Sequence, residues 1–171
     1  SVDKIIDLNG LSISSGFIDG HSHNDWYAIK QDTKKYFEPF IRQGITTYVT
    51  GNCGLSEVGF NEDSSYIDKL GGGLFTHKET TGKYNNISKL FEAINDNCPG
   101  NIISLVGHCS ARASVSGYAN RDLTAEEEKE MLEILEENLK QGAAGISLGL
   151  MYEPGLYTKS EELKKVVDLC V

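Results

Sequence analysis

No Cys-x-x-Cys pair occurs among the four cysteines, Cys53, Cys98, Cys109 and Cys170. In a chain of 171 residues this argues against a disulfide-stapled domain and for a reducing, cytoplasmic compartment. No apolar run approaches the length that crosses a bilayer. No basic cluster reverses the net charge of −9, so phosphate backbones and anionic lipid surfaces are repelled, and neither nucleic acid nor membrane is expected as a partner. The opening Ser1-Val2-Asp3-Lys4 has neither a signal-peptide hydrophobic stretch nor an initiator Met, and reads as the start of an excised piece. With 39% apolar and 24% charged residues, what is present fits one globular domain. Cys98, Cys109 and Cys170 are expected as small buried side chains; Cys53 has a different setting.

Apolar runs alternate with helical patterns from end to end, the mark of β/α units around a parallel sheet. Residues 16–21 form the first run. Phe37, Phe40 and Ile41 follow at helical spacing, with Gly44 as a left-handed stop. Residues 45–50, Ile-Thr-Thr-Tyr-Val-Thr, are dense in β-branched side chains and predict the second strand. A glycine-rich stretch with Gly71-Gly72-Gly73 precedes a helix marked by Leu90, Phe91 and Ile94 and ended by Cys98-Pro99-Gly100. Residues 101–107 predict a third strand, followed by a polar loop. Thr124-Ala125-Glu126-Glu127 then reads as a capping box opening a helix with Met131, Leu132, Leu135 and Leu139 on one stripe and Gly142 as its stop. Residues 143–148 predict the fourth strand, and Ser160 is expected to cap a last helix carrying Leu163, Val166, Val167 and Cys170.

Four β/α units make half of an eight-fold barrel or part of a doubly wound sheet. A doubly wound nucleotide binder needs a glycine-rich phosphate loop after its first strand, where this chain has His21-Ser22-His23. Gly82-Lys83 lacks the upstream glycine and the following Ser or Thr of a Walker loop. The expected fold is therefore α/β, a partial TIM-type (β/α)8 barrel of about four units.

Side chains two apart on a strand share a side, so His21 and His23 at the end of the first strand can aim at one metal ion; the alternative is a polar loop. Cys53 lies just past the second strand in Gly51-Asn52-Cys53-Gly54. A thiolate there is a zinc ligand, or the residue is a structural cysteine. Both positions fall at the end of the strands where a barrel collects its catalytic groups.

The chain resembles the N-acyl-D-amino-acid deacylases (D-aminoacylases) of the amidohydrolase superfamily along nearly its whole length. The stretches that carry the resemblance are Gly16-Phe17-Ile18-Asp19-Gly20-His21-Ser22-His23-Asn24-Asp25, Gln43-Gly44-Ile45-Thr46-Thr47, Gly51-Asn52-Cys53-Gly54, Leu105-Val106-Gly107-His108 and Gly142-Ala143-Ala144-Gly145-Ile146-Ser147 through Gly155. Gly-Asn-Cys-Gly is the most specific, because related amidohydrolases place a carboxylated lysine where this family has cysteine. The resemblance implies that His21 and His23 hold one metal position and that Cys53 binds or bridges zinc, one or two ions in the whole enzyme. It also implies that two further histidines and an aspartate follow beyond Val171, and that residues 1–14 end a small β-sandwich while residues 15–171 are the amino-terminal half of the hydrolase barrel. No certain catalytic residue then falls within the chain. Ser15, Ser116 and Leu148 depart from the family pattern, which has Pro, Met and Thr there; none is a ligand.

The resemblance further implies that the Tyr152 hydroxyl helps hold the substrate carboxylate, the alternative being an aromatic lid. It turns His108 toward the active site, against a histidine satisfied by loop hydrogen bonds. Arg112 can grip the same carboxylate through its planar fork, or lie on the surface. Asp19 and Asp25 can each orient an imidazole or be plain loop carboxylates. His77 reads as solvated. The implied activity is zinc-dependent hydrolysis of the amide of N-acyl-D-amino acids, with hydantoin- or dihydroorotate-type ring opening and a non-catalytic binding module as rivals. Cys53 in place of lysine counts against ring opening. Without water or another subunit, three ligands from this chain do not close a zinc site of catalytic strength, so the chain alone is expected to be inactive. The open sheet edges of a half barrel are expected to drive self-association.

Overall fold

The computed structural model describes residues 3–61, 63–66, 69–70 and 84–171. The run Gly71-Gly72-Gly73, His77 and Gly82-Lys83 lie outside the described residues. The element order is β1 (Phe17–Asp19), α1 (Asp25–Ala28), α2 (Thr33–Ile41), β2 (Ile45–Thr50), α3 (Ile87–Ile94), β3 (Asn101–Ser104), β4 (Val106–Gly107), α4 (His108–Ser116), α5 (Ala125–Lys140), β5 (Ile146–Ser147) and α6 (Ser160–Asp168). The chain is α/β, and its strands pair in parallel, β1-β2-β3 in one sheet and β4-β5 in the other.

β2 occupies the predicted residues. Its β-branched residues fill the sheet, and Tyr48, fully buried, meets Phe37 edge-on at 5.0 Å and Phe40 at 5.8 Å. That contact seats α2 on β2. The third strand departs from expectation, because residues 101–107 form two short strands that meet at Leu105. The Leu105 amide donates to the Thr50 carbonyl, whereas the Val106 amide donates to that of Gly145. The ribbon changes neighbour at this residue, from β2 to β5, and the ladder divides.

α4 replaces the predicted polar loop. Its sequence, His-Cys-Ser-Ala-Arg-Ala-Ser-Val-Ser, shows no amphipathic stripe because residues 108–114 are all buried. A helix enclosed on all sides by partners for its polar groups has no wet face to betray it. α5 begins as predicted: Thr124 Oγ1 accepts the Glu127 amide at 3.2 Å, and the Glu127 carboxylate accepts the Thr124 amide at 2.8 Å. Met131 and Leu135 are fully buried, each contributing about 1.5–3 kcal/mol of burial. They join Phe37, Tyr48, Leu90, Val106 and Val166 in the main core. Asn138, on the same helix, turns inward to accept the Ile87 amide at 3.0 Å, fixing the start of α3.

Three expectations are corrected. Ser160 is the first residue of α6 and Lys159 its N-cap, without a side-chain capping bond; the Glu162 carboxylate in that first turn is engaged elsewhere. Cys170 is exposed and Cys98 only half-buried, so Cys109 alone of the three is a buried thiol. Among residues 3–14 no strand forms. Asn9 and Gly10 turn the backbone with positive φ, the Leu11 amide donates to the Leu8 carbonyl, and the segment is exposed. A strand there would have no neighbouring ladder to satisfy its amides, and the segment carries none.

Candidate metal centre

The histidines meet by a different route from the one expected. β1 ends at Asp19, so His21 and His23 lie in the loop beyond it, where strand alternation no longer applies. The loop is shaped by two anchors. Asp19 Oδ1 accepts the His21 amide at 3.1 Å, and the Ser22 amide donates to the Val49 carbonyl at 2.9 Å, tying the loop to the end of β2. The rings stand edge to face with centroids 6.0 Å apart. Asp19 thus orients backbone, and Asp25 Oδ2 accepts the Glu57 amide at 3.0 Å.

Cys53 arrives from β2 through a turn in which Gly51, Cys53 and Gly54 all have positive φ, with Cys53 at 59°. That region is uncommon for a residue with a side chain, and such positions cluster where geometry matters more than ease. The Asn52 side-chain amide bridges the two loops, donating to the Ser22 carbonyl at 3.2 Å and to that of Val49 at 2.9 Å. In consequence Cys53 Sγ lies 3.2 Å from His21 Nε2. One ligand atom each from His21, His23 and Cys53 falls within 4.8 Å of the others. Tetrahedral zinc with bonds of about 2.0–2.3 Å separates its ligands by roughly 3.3–3.6 Å, so a small contraction of this triangle meets the requirement. Burial, and then the neighbouring His21, hold the His23 imidazole below its ordinary pKa, which favours the neutral form that a metal needs. Two nitrogens and a sulfur are a zinc-type donor set, and the residues fit the ion.

Tyr152 also reaches this corner, its hydroxyl donating to the Cys53 carbonyl. His108 and Arg112 do not join it. Both are fully buried, and they converge on Glu162: His108 Nε2 lies 2.8 Å and Arg112 Nε 3.1 Å from Glu162 Oε1, while Arg112 Nη2 donates to the Arg121 carbonyl at 3.0 Å. Arg112 is thus not on the surface, and its Nε is turned to an internal carboxylate while Nη1 is buried without a hydrogen-bond partner among the described residues. Glu162 is not among the residues the sequence singles out, since an acidic residue in the first turn of a helix is ordinary charge complementarity. Glu57, also missed, is fully buried behind the Cys53 turn. Burial, and then the charge of Asp25, push its carboxyl up to about 9.

The sequence profile described as Amidohydrolase family matches residues 4–169. The chain belongs to the amidohydrolase family. Among curated members this amidohydrolase chain is similar to a D-aminoacylase of Alcaligenes xylosoxydans xylosoxydans, 34% identical over 168 residues, with 96% of this chain and 32% of the relative covered. An N-acyl-D-aspartate deacylase of the same organism is 33% identical, with 97% and 32% covered. Among solved structures, an N-acyl-D-glutamate deacylase from Bordetella bronchiseptica, complexed with zinc and a phosphonate mimic of the reaction's tetrahedral intermediate, superposes with a TM-score of 0.74 at 28% identity, covering 91% of this chain and 31% of that one. The chain spans about a third of the length of the curated relatives it matches. Among the described residues, no helix is long and apolar enough to cross a membrane.

Proposed function

We propose that this amidohydrolase chain is an amino-terminal fragment of a zinc-dependent N-acyl-D-amino-acid deacylase, with residues 1–14 the end of a small β-sandwich and residues 15–171 the amino-terminal half, about four units, of a (β/α)8 barrel. The convergence of His21, His23 and Cys53 within 4.8 Å carries the reading, and the relatives named above support the substrate class. His21, His23 and Cys53 would hold the ion, one of one or two in the whole enzyme. Bound there, zinc would supply a polarised acyl carbonyl and a water of lowered pKa. The chain's own part is positional. Ser22 and Asn52 lock the two ligand loops together, and burial, with the neighbouring His21, lowers the His23 pKa and so favours the neutral form that a metal needs. Tyr152 stands at the mouth beside Cys53, where an N-acyl-D-amino acid would be gripped. His108 and Arg112 support this wall from behind through Glu162. The protein is read as cytoplasmic, with neither nucleic acid nor membrane as partner.

Calorimetric titration with zinc tests the reading. Wild type is expected to bind with release of protons, since thiol and imidazole must give them up, and Cys53→Ala is expected to lose that binding. Identical titrations for the two proteins would refute the metal centre. The 171-residue chain alone, with three ligands, should not turn over an N-acetyl-D-amino acid, and measurable turnover by monomeric material would overturn that ligand count. Phe17 and Ile18 of β1 are 58% and 66% exposed, so the chain should self-associate through this edge; a monodisperse monomer by light scattering would argue otherwise.

A further inference from the structure

Cys53 holds a left-handed backbone conformation that a residue with a side chain adopts reluctantly. Something outside the turn must therefore keep it there, and the contacts come from one direction. Ser147 Oγ donates to the Gly51 carbonyl and accepts the Gly54 amide, the latter at 2.9 Å, so that one hydroxyl spans both ends of the four-residue turn. The Tyr152 hydroxyl holds the middle by donating to the Cys53 carbonyl. The Ser110 amide closes the far side onto the Gly54 carbonyl at 3.0 Å.

Ser147 is placed by the β4-β5 ladder, where it pairs with Gly107. The segment after β5 then passes so close that a Cβ at Gly149 would overlap the Cys53 carbonyl oxygen and the Tyr152 ring. Gly51 and Gly54 are buried, so without these hydroxyls their polar groups would have no water to turn to. Neither Ser147 nor Tyr152 offers an atom to the triangle of ligands.

We propose that Ser147, with Tyr152 as its second arm, is a positioning residue that sets the place of the Cys53 thiolate, so that β5 governs metal affinity without supplying a ligand. The inference rests on the reading of this corner as a metal centre. Partners of this kind that orient a ligand are worth about 10- to 100-fold in metal affinity.

The test uses cobalt(II) as a probe of the 171-residue chain, following the thiolate-to-cobalt charge-transfer band. Ser147→Ala should bind cobalt about 10- to 100-fold more weakly and with an altered band, and Ser147→Thr, which keeps the hydroxyl, should restore most of both. Wild-type affinity and an unchanged band in Ser147→Ala would overturn the proposal. Should that variant fail to fold, Tyr152→Phe carries the same expectation. A wild-type chain without a band that Cys53→Ala abolishes would refute the metal reading itself. The clamp is then judged by hydrogen exchange of the Gly54 amide, which Ser147→Ala should accelerate and Ser147→Thr restore; unchanged exchange would end it.

Discussion

Two groups of residues in this chain bring histidine together with strong partners, and they are built in opposite ways. At the end of β1 and β2, His21 and His23 meet a thiol in a half-open corner, with no carboxylate among the three ligand groups. At the junction of α4 and α6, His108 meets Glu162 and Arg112 in complete burial. In the second group the carboxylate accepts from both neighbours, and their attraction offsets part of the cost of desolvation, although His108 Nδ1 and Arg112 Nη1 are left without hydrogen-bond partners among the described residues. The first group brings two imidazoles and a thiol within 4.8 Å of one another. A carboxylate-closed cluster of this kind ties helices together, whereas the imidazole-thiol cluster is the one with a zinc-type donor set.

The largest expected effect comes from breaking the closed group. Glu162→Ala leaves Arg112 buried without its anion, and should cost about 3–5 kcal/mol of stability, read from urea midpoints. Cys53→Ala should stay within about 1 kcal/mol of wild type while losing zinc. Equal stability losses in the two variants would erase the contrast.

An effect graded by pH is expected at Glu57, whose amide donates to Asp25. Burial pushes the Glu57 carboxyl up to about 9 from the 4.5 of the unfolded chain, so below pH 4.5 both folded and unfolded chains carry the proton and the group costs nothing. Between there and about pH 9 the unfolded chain ionises while the folded one keeps its proton, and stability falls as pH rises. Glu57→Gln should therefore gain on wild type steadily across this window. A difference independent of pH would show that the carboxyl is already ionised in the fold.

The smallest effect belongs to a site remote from both groups. Thr124→Ala should cost about 1 kcal/mol through loss of the α5 cap and leave zinc affinity untouched. A change in affinity would mean that any destabilisation reaches the corner, and that the two regions are not separable.

Much of the plan is legible in the residues. β2 follows from its β-branched run, α5 from its capping box and apolar stripe, and the candidate ligand set His21, His23 and Cys53 from residue types just past two strands. Other features hide for identifiable reasons. α4 looks like a loop because its serines, His108 and Arg112 find partners inside. The break at Leu105 is invisible because a change of neighbour leaves no mark on hydropathy.

Local pattern alone determined the places of β2 and α5 and which side chains have the chemistry to hold zinc, because periodicity, capping and donor type are properties of neighbours in sequence. Only the tertiary structure decided that Ser147 reaches the Gly51 turn across 96 residues, that Glu162 meets both His108 and the Nε of Arg112, and that His21 comes within 3.2 Å of the Cys53 sulfur. Those are meetings between distant segments, fixed by ladder register and by close backbone approach, and no short stretch of sequence contains them.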